Sequence, residues 1–306
     1  MRLVFLGTPA FAVPTLERIV QAGHEVAAVV TQPDRPRGRG QQPAFPPVKE
    51  TAVRLGLPVY QPERVRRPEA VEHLRGLAPE AMVVVGYGQI IPQVVIDIAP
   101  LGIINVHASL LPKYRGAGPI QWAIANGETR TGVTTMRINA GLDTGDMLLK
   151  AETGIQPDES AIELGKRLAE IGAELLVETL AGLAAGTIAP EPQDDSQATY
   201  APLLKKEDGR IEWSASAATI HNRARGFQPW PGAYTAFRGQ TLHVWTRGPG
   251  AGGTGPAGRV VRLRPLMVSC GTGEIELVEV QLEGRKRMAA ADFVNGQRVQ
   301  VDEVLG

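Results

Sequence analysis

The chain has 306 residues, no net charge at neutral pH and a hydrophobic fraction of 43%. This length exceeds what one compact core usually holds, so two domains are expected. The neutral balance argues against a protein that coats nucleic acid over its whole surface, but it leaves room for a local basic face. Cys270 is the only cysteine, which excludes an internal disulfide and is typical of a reducing compartment.

The distribution of apolar residues bears on where the protein works. No apolar run approaches the roughly 18 residues that a membrane-spanning helix needs. The apolar run after Met1 is too short for a signal peptide and lacks a cleavage site. We therefore expect a cytoplasmic protein with no membrane partner.

Strand patterns alternate with helical patterns in the first part of the chain. Residues 32–47 are rich in proline and glycine and predict a long exposed loop. The alternation predicts an α/β, Rossmann-like domain with a mostly parallel sheet covered on both faces. Strands are predicted at 3–6, 26–30, 82–85, 103–106 and 132–138, and helices at 9–21, 48–55, 118–126 and 160–185.

The composition changes after Gly186. Residues 190–206 are rich in Pro, Gln, Asp and Ser, and predict a linker between a first domain at 1–189 and a second at 207–306. Short strand patterns with glycine turns then predict a smaller, OB-like β-barrel domain. Its strands are expected at 233–237, 241–246, 258–263, 267–269, 275–281 and 297–301, with a single helix at 215–225.

Asn105 and His107 are the first candidate chemical groups. They lie two residues apart at the end of a predicted strand, so their side chains project from the same face of the sheet. Ligands of open α/β sheets bind beyond the carboxyl ends of the strands. An Asn amide can donate to a developing oxyanion and a His exchanges protons near neutral pH, which together suit attack on a carbonyl. The pair alone is also compatible with a strand-end turn and a buried structural histidine.

Asp143 is the third candidate. Gly141 and Gly145 bracket it and allow tight, left-handed turns that could carry the carboxylate toward the pair. In isolation the pattern equally predicts an Asx turn between two strands, and Asp146 is the more ordinary turn residue.

Three other chemistries lack their motifs. The five histidines include no close metal-ligand pair and there is one cysteine, so no metal site is predicted. No G-x-G-x-x-G follows the first strand, which argues against a nicotinamide site. A G-x-S-x-G elbow is also missing, which argues against a serine hydrolase.

Two longer motifs give the candidate residues a common context. The run from Asn105 to Pro112 with Arg115-Gly116, and the run from Gly141 to Asp146, resemble the signature motifs of the folate-dependent formyltransferases. The resemblance extends over nearly the whole chain and is greatest to the branch that acts on methionyl initiator tRNA.

The resemblance implies a reaction, two substrates and an assembly state. The co-substrate 10-formyltetrahydrofolate would donate its formyl group to the α-amino group of methionyl initiator tRNA. The loop at 32–47 would meet the acceptor stem, and family analogy suggests a monomer. The positions that match are Asn105, His107 and Asp143 for catalysis, Ser109, Leu110, Leu111, Pro112, Gly86, Tyr87, Gly88 and Ile91 for folate, and Arg35, Arg37 and Arg39 for tRNA.

Other functions stay open at this point. A glycinamide ribonucleotide formyltransferase shares the same trio but usually ends near the first domain. A sugar-nucleotide formyltransferase or a formyltetrahydrofolate hydrolase domain can carry a similar C-terminal module, whereas the arginines at 35–39 favour RNA. A non-catalytic tRNA-binding protein is a further alternative, which the intact trio disfavours.

Two positions depart from the family pattern. Ala10 follows Pro9 where Asp is common, and Gly226-Phe227-Gln228 stands where Ala-Phe-Asn is common. These departures concern fine substrate contacts rather than the reaction.

Overall fold

The structure, a computed structural model, describes residues 1–37, 42–250, 252 and 255–306. Contacts divide the chain into two compact units. Unit 1 comprises Met1–Gly116, Gly132–Thr153 and Gly165–Tyr200, and unit 2 comprises Ala117–Thr131, Gly154–Leu164 and Ala201–Gly306. The domain boundaries proposed from the sequence stay a prediction.

Unit 1 is built on a mostly parallel sheet, as predicted. The strands up to residue 154 are β1 (Arg2–Gly7), β2 (Glu25–Val30), β3 (Arg35–Arg37), β4 (Gln42–Ala44), β5 (Val59–Tyr60), β6 (Ala81–Val85), β7 (Ile103–His107), β8 (Arg130–Arg137) and β9 (Met147–Gly154). Seven of them form one sheet in the order β5-β2-β1-β6-β7-β8-β9. The pairings from β5 to β7 are parallel, and β8 runs antiparallel to β7.

The helices follow the sequence patterns closely at most positions. In the described residues they are α1 (Val13–Gln21), α2 (Pro47–Arg54), α3 (Pro68–Gly76), α4 (Gln93–Ile96), α5 (Pro119–Ala125), α6 (Ala161–Ala185), α7 (Ala217–Gly226) and α8 (Ala290–Gln297). None of these helices has both the length and the apolar character needed to cross a membrane. The predicted start at residue 9 is four residues early because a 3-10 turn, Ala10–Ala12, precedes α1.

Close packing of α6 on the sheet explains a glycine in the middle of that helix. A Cβ atom at Gly172 would lie 2.7 Å from Cγ1 of Val106 on β7 and 3.4 Å from Cγ1 of Val133 on β8. The missing side chain therefore lets the helix backbone approach two buried, β-branched residues. This contact covers one face of the strand that carries Asn105 and His107.

The predicted loop at 32–47 contains regular structure. Strands β3 and β4 pair as an antiparallel hairpin in which Arg35 lies opposite Ala44. The predicted long loop therefore includes a short antiparallel pairing, in which Pro36 lies opposite Pro43. Residues 38–41 lie outside the described part of the chain.

Unit 2 contains an antiparallel sheet, which confirms an antiparallel β class for the C-terminal domain. Its strands are β10 (Ala233–Phe237), β11 (Gln240–Gly250), β12 (Val260–Leu263), β13 (Leu266–Ser269), β14 (Glu274–Leu282) and β15 (Met288–Ala289). Their order is β10-β11-β14-β13-β12, with β15 paired to β14. An OB-like barrel topology stays a prediction.

The strand predicted at 297–301 was wrong. Helix α8 covers 290–297 and so ends at the first residue of the predicted strand. Arg298 follows it with a left-handed backbone at φ 51°, which is not a strand conformation. The spacing of Ala290, Phe293 and Val294 places these apolar residues on one helical face, and all three are buried. The Phe293 ring packs edge-on against Phe237 of β10 at 4.9 Å. A helix turns this apolar face into the domain core, which a strand with alternating side chains would not do.

One departure from the family pattern lies at a helix crossing within unit 2. A Cβ atom at Gly226 would come 2.9 Å from the backbone nitrogen of Ala125 and the carbonyl oxygen of Gln121, both on α5. The Trp122 ring packs edge-on against Phe227 at 5.2 Å beside this crossing. Gly226 therefore belongs to the packing of α5 on α7.

Substitution of Gly172 tests the packing of α6 on the sheet. We expect Gly172→Leu to lower the free energy of unfolding by about 2 kcal/mol, because overpacking costs more than the ~0.8 kcal/mol that leaving Gly gains in a helix. Glu170→Leu places the same side chain at an exposed position of α6 and should change stability by about 0.5 kcal/mol or less. Urea titrations of the two variants would measure the difference, and equal midpoints would contradict the packing argument.

Candidate active site

The candidate site lies at one edge of the parallel sheet in unit 1. Strands β1, β2, β6 and β7 run parallel, so their carboxyl ends meet at the same edge. Thr8 follows β1, Gly86 follows β6, and His107 is the last residue of β7. The sheet therefore brings together segments that are separated by up to about a hundred residues in the sequence.

His107 has a defined orientation and protonation pattern. Its Nε2 atom lies 2.9 Å from the carbonyl oxygen of Tyr114 in a buried setting. A carbonyl oxygen can only accept, so Nε2 carries the proton of the neutral imidazole and Nδ1 holds the lone pair. The basic nitrogen of His107 is therefore Nδ1.

The structure brings Asp143 to this basic nitrogen. Oδ2 of Asp143 lies 3.7 Å from Nδ1 of His107, and the carboxylate is 19% exposed. The backbone N–H of Gly116 donates to the same Oδ2 at 2.9 Å. Two acceptors, the lone pair of Nδ1 and the carboxylate, thus lie next to each other at the edge of the sheet.

The loop that carries Asp143 takes its shape in a different way from the one expected. The left-handed residue is Asp143 itself, with φ 52°, while the bracketing glycines do not have positive φ. The glycines are instead needed because neighbouring atoms leave no room for a side chain. A Cβ at Gly141 would lie 2.1 Å from Oγ1 of Thr144, and a Cβ at Gly145 would lie 1.8 Å from the carbonyl oxygen of Arg137. Asp is among the residues that tolerate a left-handed backbone best.

Asn105 lies on β7 two residues before His107, as predicted. Both residues are buried, with 9% and 6% of their surfaces exposed. Asn105 pairs with Val84 of β6 on one side and with Met136 of β8 on the other. The alternation of side chains along a strand directs its amide toward the same face as the imidazole.

The predicted folate segment after β7 is only partly accessible. Ser109 is fully buried and its hydroxyl donates to the carbonyl oxygen of Lys113 at 2.6 Å. Leu111 is 1% exposed and packs with Met136 and Met147. The side chains of this segment with accessible surface are therefore those of Leu110 and Pro112.

The second predicted folate segment has backbone groups available at the sheet edge. Gly86 and Gly88 adopt left-handed backbones at φ 56° and 84°, and a Cβ at Gly86 would come 2.9 Å from Cγ of Pro9. Tyr87 turns its side chain into the core, where burial raises the pKa of its phenol well above the ordinary value. Ile91 is half-buried, whereas its neighbour Ile90, which the family resemblance also places at the folate pocket, is 91% exposed.

A cleft connects this segment with the predicted tRNA loop. Its volume is about 640 Å³, within the usual range for a small-molecule site. The lining includes Gly86, Tyr87 and Gly88 from one wall, and Arg35 and Phe45 from another. The cleft therefore adjoins both of the substrate regions that the family resemblance implies.

The loop wall of the cleft is fixed by polar contacts. Lys49 of α2 pairs with the carboxylate of Asp34, and Gln61 donates to the same carboxylate at 2.8 Å. The hydrogen bonds from Lys49 and then Gln61 lower the pKa of the Asp34 carboxyl below its ordinary value. Of the predicted tRNA contacts, Arg35 is exposed and lines the cleft, Arg37 belongs to β3, and Arg39 lies outside the described residues.

Sequence reasoning missed the residues that hold the trio in place. Tyr114 orients His107 through its carbonyl oxygen, and Gln193 donates to the backbone of the Asp143 loop. Gln193 lies in the predicted linker, whose composition carried no chemical signal. In the part of the chain that the structure describes, no group of three or more His, Cys, Asp or Glu side chains is suited to a metal ion.

Comparisons with known proteins agree with this geometry. A family profile described as "Formyl transferase" matches residues 1–180, and one described as "Formyl transferase, C-terminal domain" matches residues 203–298. The methionyl-tRNA formyltransferase of Solibacter usitatus is 73% identical, with all of this chain and 99% of that protein covered. The enzyme of the same name from Koribacter versatilis is 58% identical over the same shares.

The chain belongs to the methionyl-tRNA formyltransferase family. Solved structures of lower identity share the fold of this family. HypX from Aquifex aeolicus, in complex with tetrahydrofolic acid, has a TM-score of 0.67 at 18% identity, covering 99% of this chain and 48% of that one. The sugar 3N-formyl transferase WlaRD has a TM-score of 0.64 at 17% identity, covering 94% and 99%.

Substitution of Gly145 tests how the loop positions Asp143. A methyl group at residue 145 must displace the backbone of Arg137 or of the loop, which moves the carboxylate away from His107. We expect Gly145→Ala to lower the rate of formyl transfer about 10- to 100-fold, because displacements near 1 Å have effects of this size. Gly154→Ala is the control, since its nearest neighbour would be 3.9 Å away and activity should be unchanged. Full activity of the Gly145 variant would show that the loop tolerates displacement.

Proposed function

We propose that the chain transfers the formyl group of 10-formyltetrahydrofolate to the α-amino group of methionyl initiator tRNA, giving N-formylmethionyl-tRNA. The observation that carries this proposal is the meeting of His107 and Asp143 at the sheet edge, in a chain of this family. The folate supplies the formyl carbon and a nitrogen leaving group, and the chain's own residues manage protons and charge.

His107 is the proposed base. An α-amino group titrates near pH 8, so a substantial share of the attacking amine is neutral at physiological pH. The amine loses a proton as its bond to the formyl carbon forms, and Nδ1 of His107 offers a lone pair for it. Asp143, 3.7 Å away, stabilises the positive charge that the imidazole then carries.

Asn105 is the proposed oxyanion donor. Its side-chain N–H groups can donate to the formyl oxygen as negative charge develops there. The residue is held between two paired strands and is 9% exposed, so the amide needs little reorganisation when charge appears. Donation from a buried amide is more effective than donation from water for the same reason.

Asp143 completes the proton path. The nitrogen of the folate must gain a proton to leave, and the proton taken by His107 lies next to the Asp143 carboxylate. A water molecule held by this carboxylate can return the proton to the leaving nitrogen. The backbone N–H of Gly116 donates to the carboxylate and so holds its position.

The cleft lined by Gly86, Tyr87 and Gly88 fits a reduced folate. A flat bicyclic ring with donors and acceptors along its edge suits backbone groups that no Cβ shields, as at Gly86 and Gly88. The exposed side chain of Ile90 and the partly exposed Leu110 offer apolar area for its faces. We assign the folate to this wall together with Ser109, Leu111 and Pro112, the two buried residues acting through the backbone.

The opposite wall fits the tRNA. Arg35 is exposed at the cleft, where a cation can pair with a backbone phosphate of the acceptor end. We assign Arg37 of β3, and Arg39 outside the described residues, to the same role. The substrate is a charged initiator tRNA, so the reaction belongs in the cytoplasm. The chain is proposed to act as a monomer, which sedimentation equilibrium would test.

The trio can be tested by single substitutions. We expect Asn105→Ala or His107→Ala to lower the single-turnover rate of formyl transfer on the order of 10²- to 10⁴-fold, because a donor or a base is lost at the reacting atoms. Circular dichroism and the thermal midpoint should remain close to those of the wild type. Near-normal transfer by either variant would remove that residue from the mechanism.

The acceptor can be tested by substrate competition. The wild-type chain is given 10-formyltetrahydrofolate with methionyl initiator tRNA, uncharged initiator tRNA, methionyl elongator tRNA or an amino-sugar nucleotide. We expect formylation of methionyl initiator tRNA only. Transfer to the sugar nucleotide but not to tRNA would overturn the proposed function.

Charge reversal tests the tRNA wall. We expect Arg35→Glu to weaken binding of methionyl initiator tRNA about tenfold and to reduce the slope of log K against log salt by about 1, since one phosphate contact is lost. The affinity for tetrahydrofolate should be unchanged. Arg75→Glu on α3 makes the same charge change away from the cleft, so it should leave both affinities unaltered.

A further inference from the structure

We propose that Gln193 and Arg115 are positioning residues that keep the Asp143 loop and the Gly116 N–H in the places that catalysis requires. The segment from Glu191 to Thr199, here called the brace segment, anchors them. This inference rests on the proposed function, because it explains how the catalytic carboxylate of that reaction is kept in place.

Gln193 fixes the backbone of the Asp143 loop at the left-handed residue and two residues after it. Its Nε2 donates to the carbonyl oxygens of Asp143 and Gly145, both at 2.8 Å. One side-chain amide thus uses both of its N–H groups on the same loop. Asp143 has a left-handed backbone, and for a residue other than glycine this conformation is stabilised by surrounding contacts. Gln193 supplies such contacts at Asp143.

Arg115 orients Gln193 in turn. Its Nε donates to Oε1 of Gln193 at 2.9 Å, and a terminal nitrogen of its guanidinium pairs with Asp195 at 2.8 Å. Arg115 is 2% exposed, so its guanidinium is held in one place by fixed partners rather than by water. The amide of Gln193 is thereby fixed with its donor end toward the loop.

Arg115 also restrains the residue that donates a hydrogen bond to the Asp143 carboxylate. Gly116, whose N–H donates to Oδ2 of Asp143, is the next residue in the chain. Immobilising Arg115 therefore restrains the donor that holds the carboxylate, while Gln193 restrains the backbone that carries it. Both restraints depend on the hydrogen bond between buried Arg115 and half-buried Gln193.

The brace segment is attached to unit 1 at both of its ends. Glu191 exchanges two backbone hydrogen bonds with Met147 of β9, each 2.8 Å. Thr199 accepts from the N–H of Arg115 through its carbonyl oxygen and from the N–H of Tyr114 through Oγ1, both at 2.8 Å. The segment thus spans from the strand after the Asp143 loop to the residue that orients His107. Its polar composition, which predicts a linker, also equips it for these bonds.

The test is an isosteric exchange at Gln193. Gln193→Glu keeps the acceptor for Arg115 but replaces the amide donor with a carboxylate oxygen, which repels the carbonyl oxygens of Asp143 and Gly145. We expect the single-turnover rate of formyl transfer to fall about 10- to 100-fold, the effect of displacing a catalytic group by about 1 Å. Dissociation constants for tetrahydrofolate and for methionyl initiator tRNA should stay within about twofold, since neither is bound by this residue.

Gln197→Glu is the matched control. It makes the same exchange and the same charge change on an exposed side chain of the brace segment. Its rate should equal that of the wild type. Equal losses in both variants would mean that added negative charge, and not the hydrogen bonds of Gln193, slows the reaction, and the proposal would be overturned.

A double-mutant cycle separates positioning from a general structural role. If Gln193 acts through Asp143, then Gln193→Glu should slow the Asp143→Asn variant by less than about twofold, although it slows the wild type at least tenfold. Full additivity of the two losses would contradict the proposal. The thermal midpoints of all four proteins show whether unfolding contributes.

The outcome is independent of the test of the proposed function. If the wild-type chain does not formylate methionyl initiator tRNA, the proposed function fails before any variant is compared. When the wild type is active and Gln193→Glu retains full single-turnover rate, only the positioning role fails.

Discussion

The pairing of the Asp143 carboxylate with Nδ1 of His107 is the interaction on which the rest of the site depends. Either group alone is ordinary, whereas their 3.7 Å separation brings an imidazole lone pair and a carboxylate together at one point of the sheet edge. The imidazole donates from Nε2 to the carbonyl oxygen of Tyr114, which fixes the ring. Its basic nitrogen, Nδ1, then lies on the side of the carboxylate. A side chain oriented in this way needs little reorganisation during the proposed reaction.

Two kinds of structure hold this pair together. The parallel sheet provides the imidazole at the end of β7 and the glycine turn at the end of β6, because the ends of parallel strands meet at one edge. Irregular segments provide the carboxylate and its supports. The proposed positioning residues Gln193 and Arg115 give these segments side-chain hydrogen bonds, one of them from a buried guanidinium. Loops on a surface usually have fewer such bonds. The sheet therefore positions His107, and the irregular segments position Asp143.

Much of the fold could be predicted because its signals are local. The apolar runs at β1, β6 and β7 and the periodic pattern of α6 reflect burial of neighbouring residues, and the structure confirms them. The errors have equally physical causes. The segment at 297–301 includes buried Val299, but the residues before it have helical spacing. They form α8, which ends at Gln297 and is followed by the left-handed backbone of Arg298. The two-residue strand β5 is too short to carry a pattern.

The sequence by itself determined which chemical groups are present and, through strand alternation, that Asn105 and His107 share a face. It also carried the family motifs that predict formyl transfer. Only the tertiary structure decided that Asp143 adopts the left-handed backbone, that Nδ1 is the basic nitrogen, and that the polar segment after α6 supports the site. These features depend on hydrogen bonds between residues 7 to 50 positions apart, and no apolar periodicity encodes such pairings.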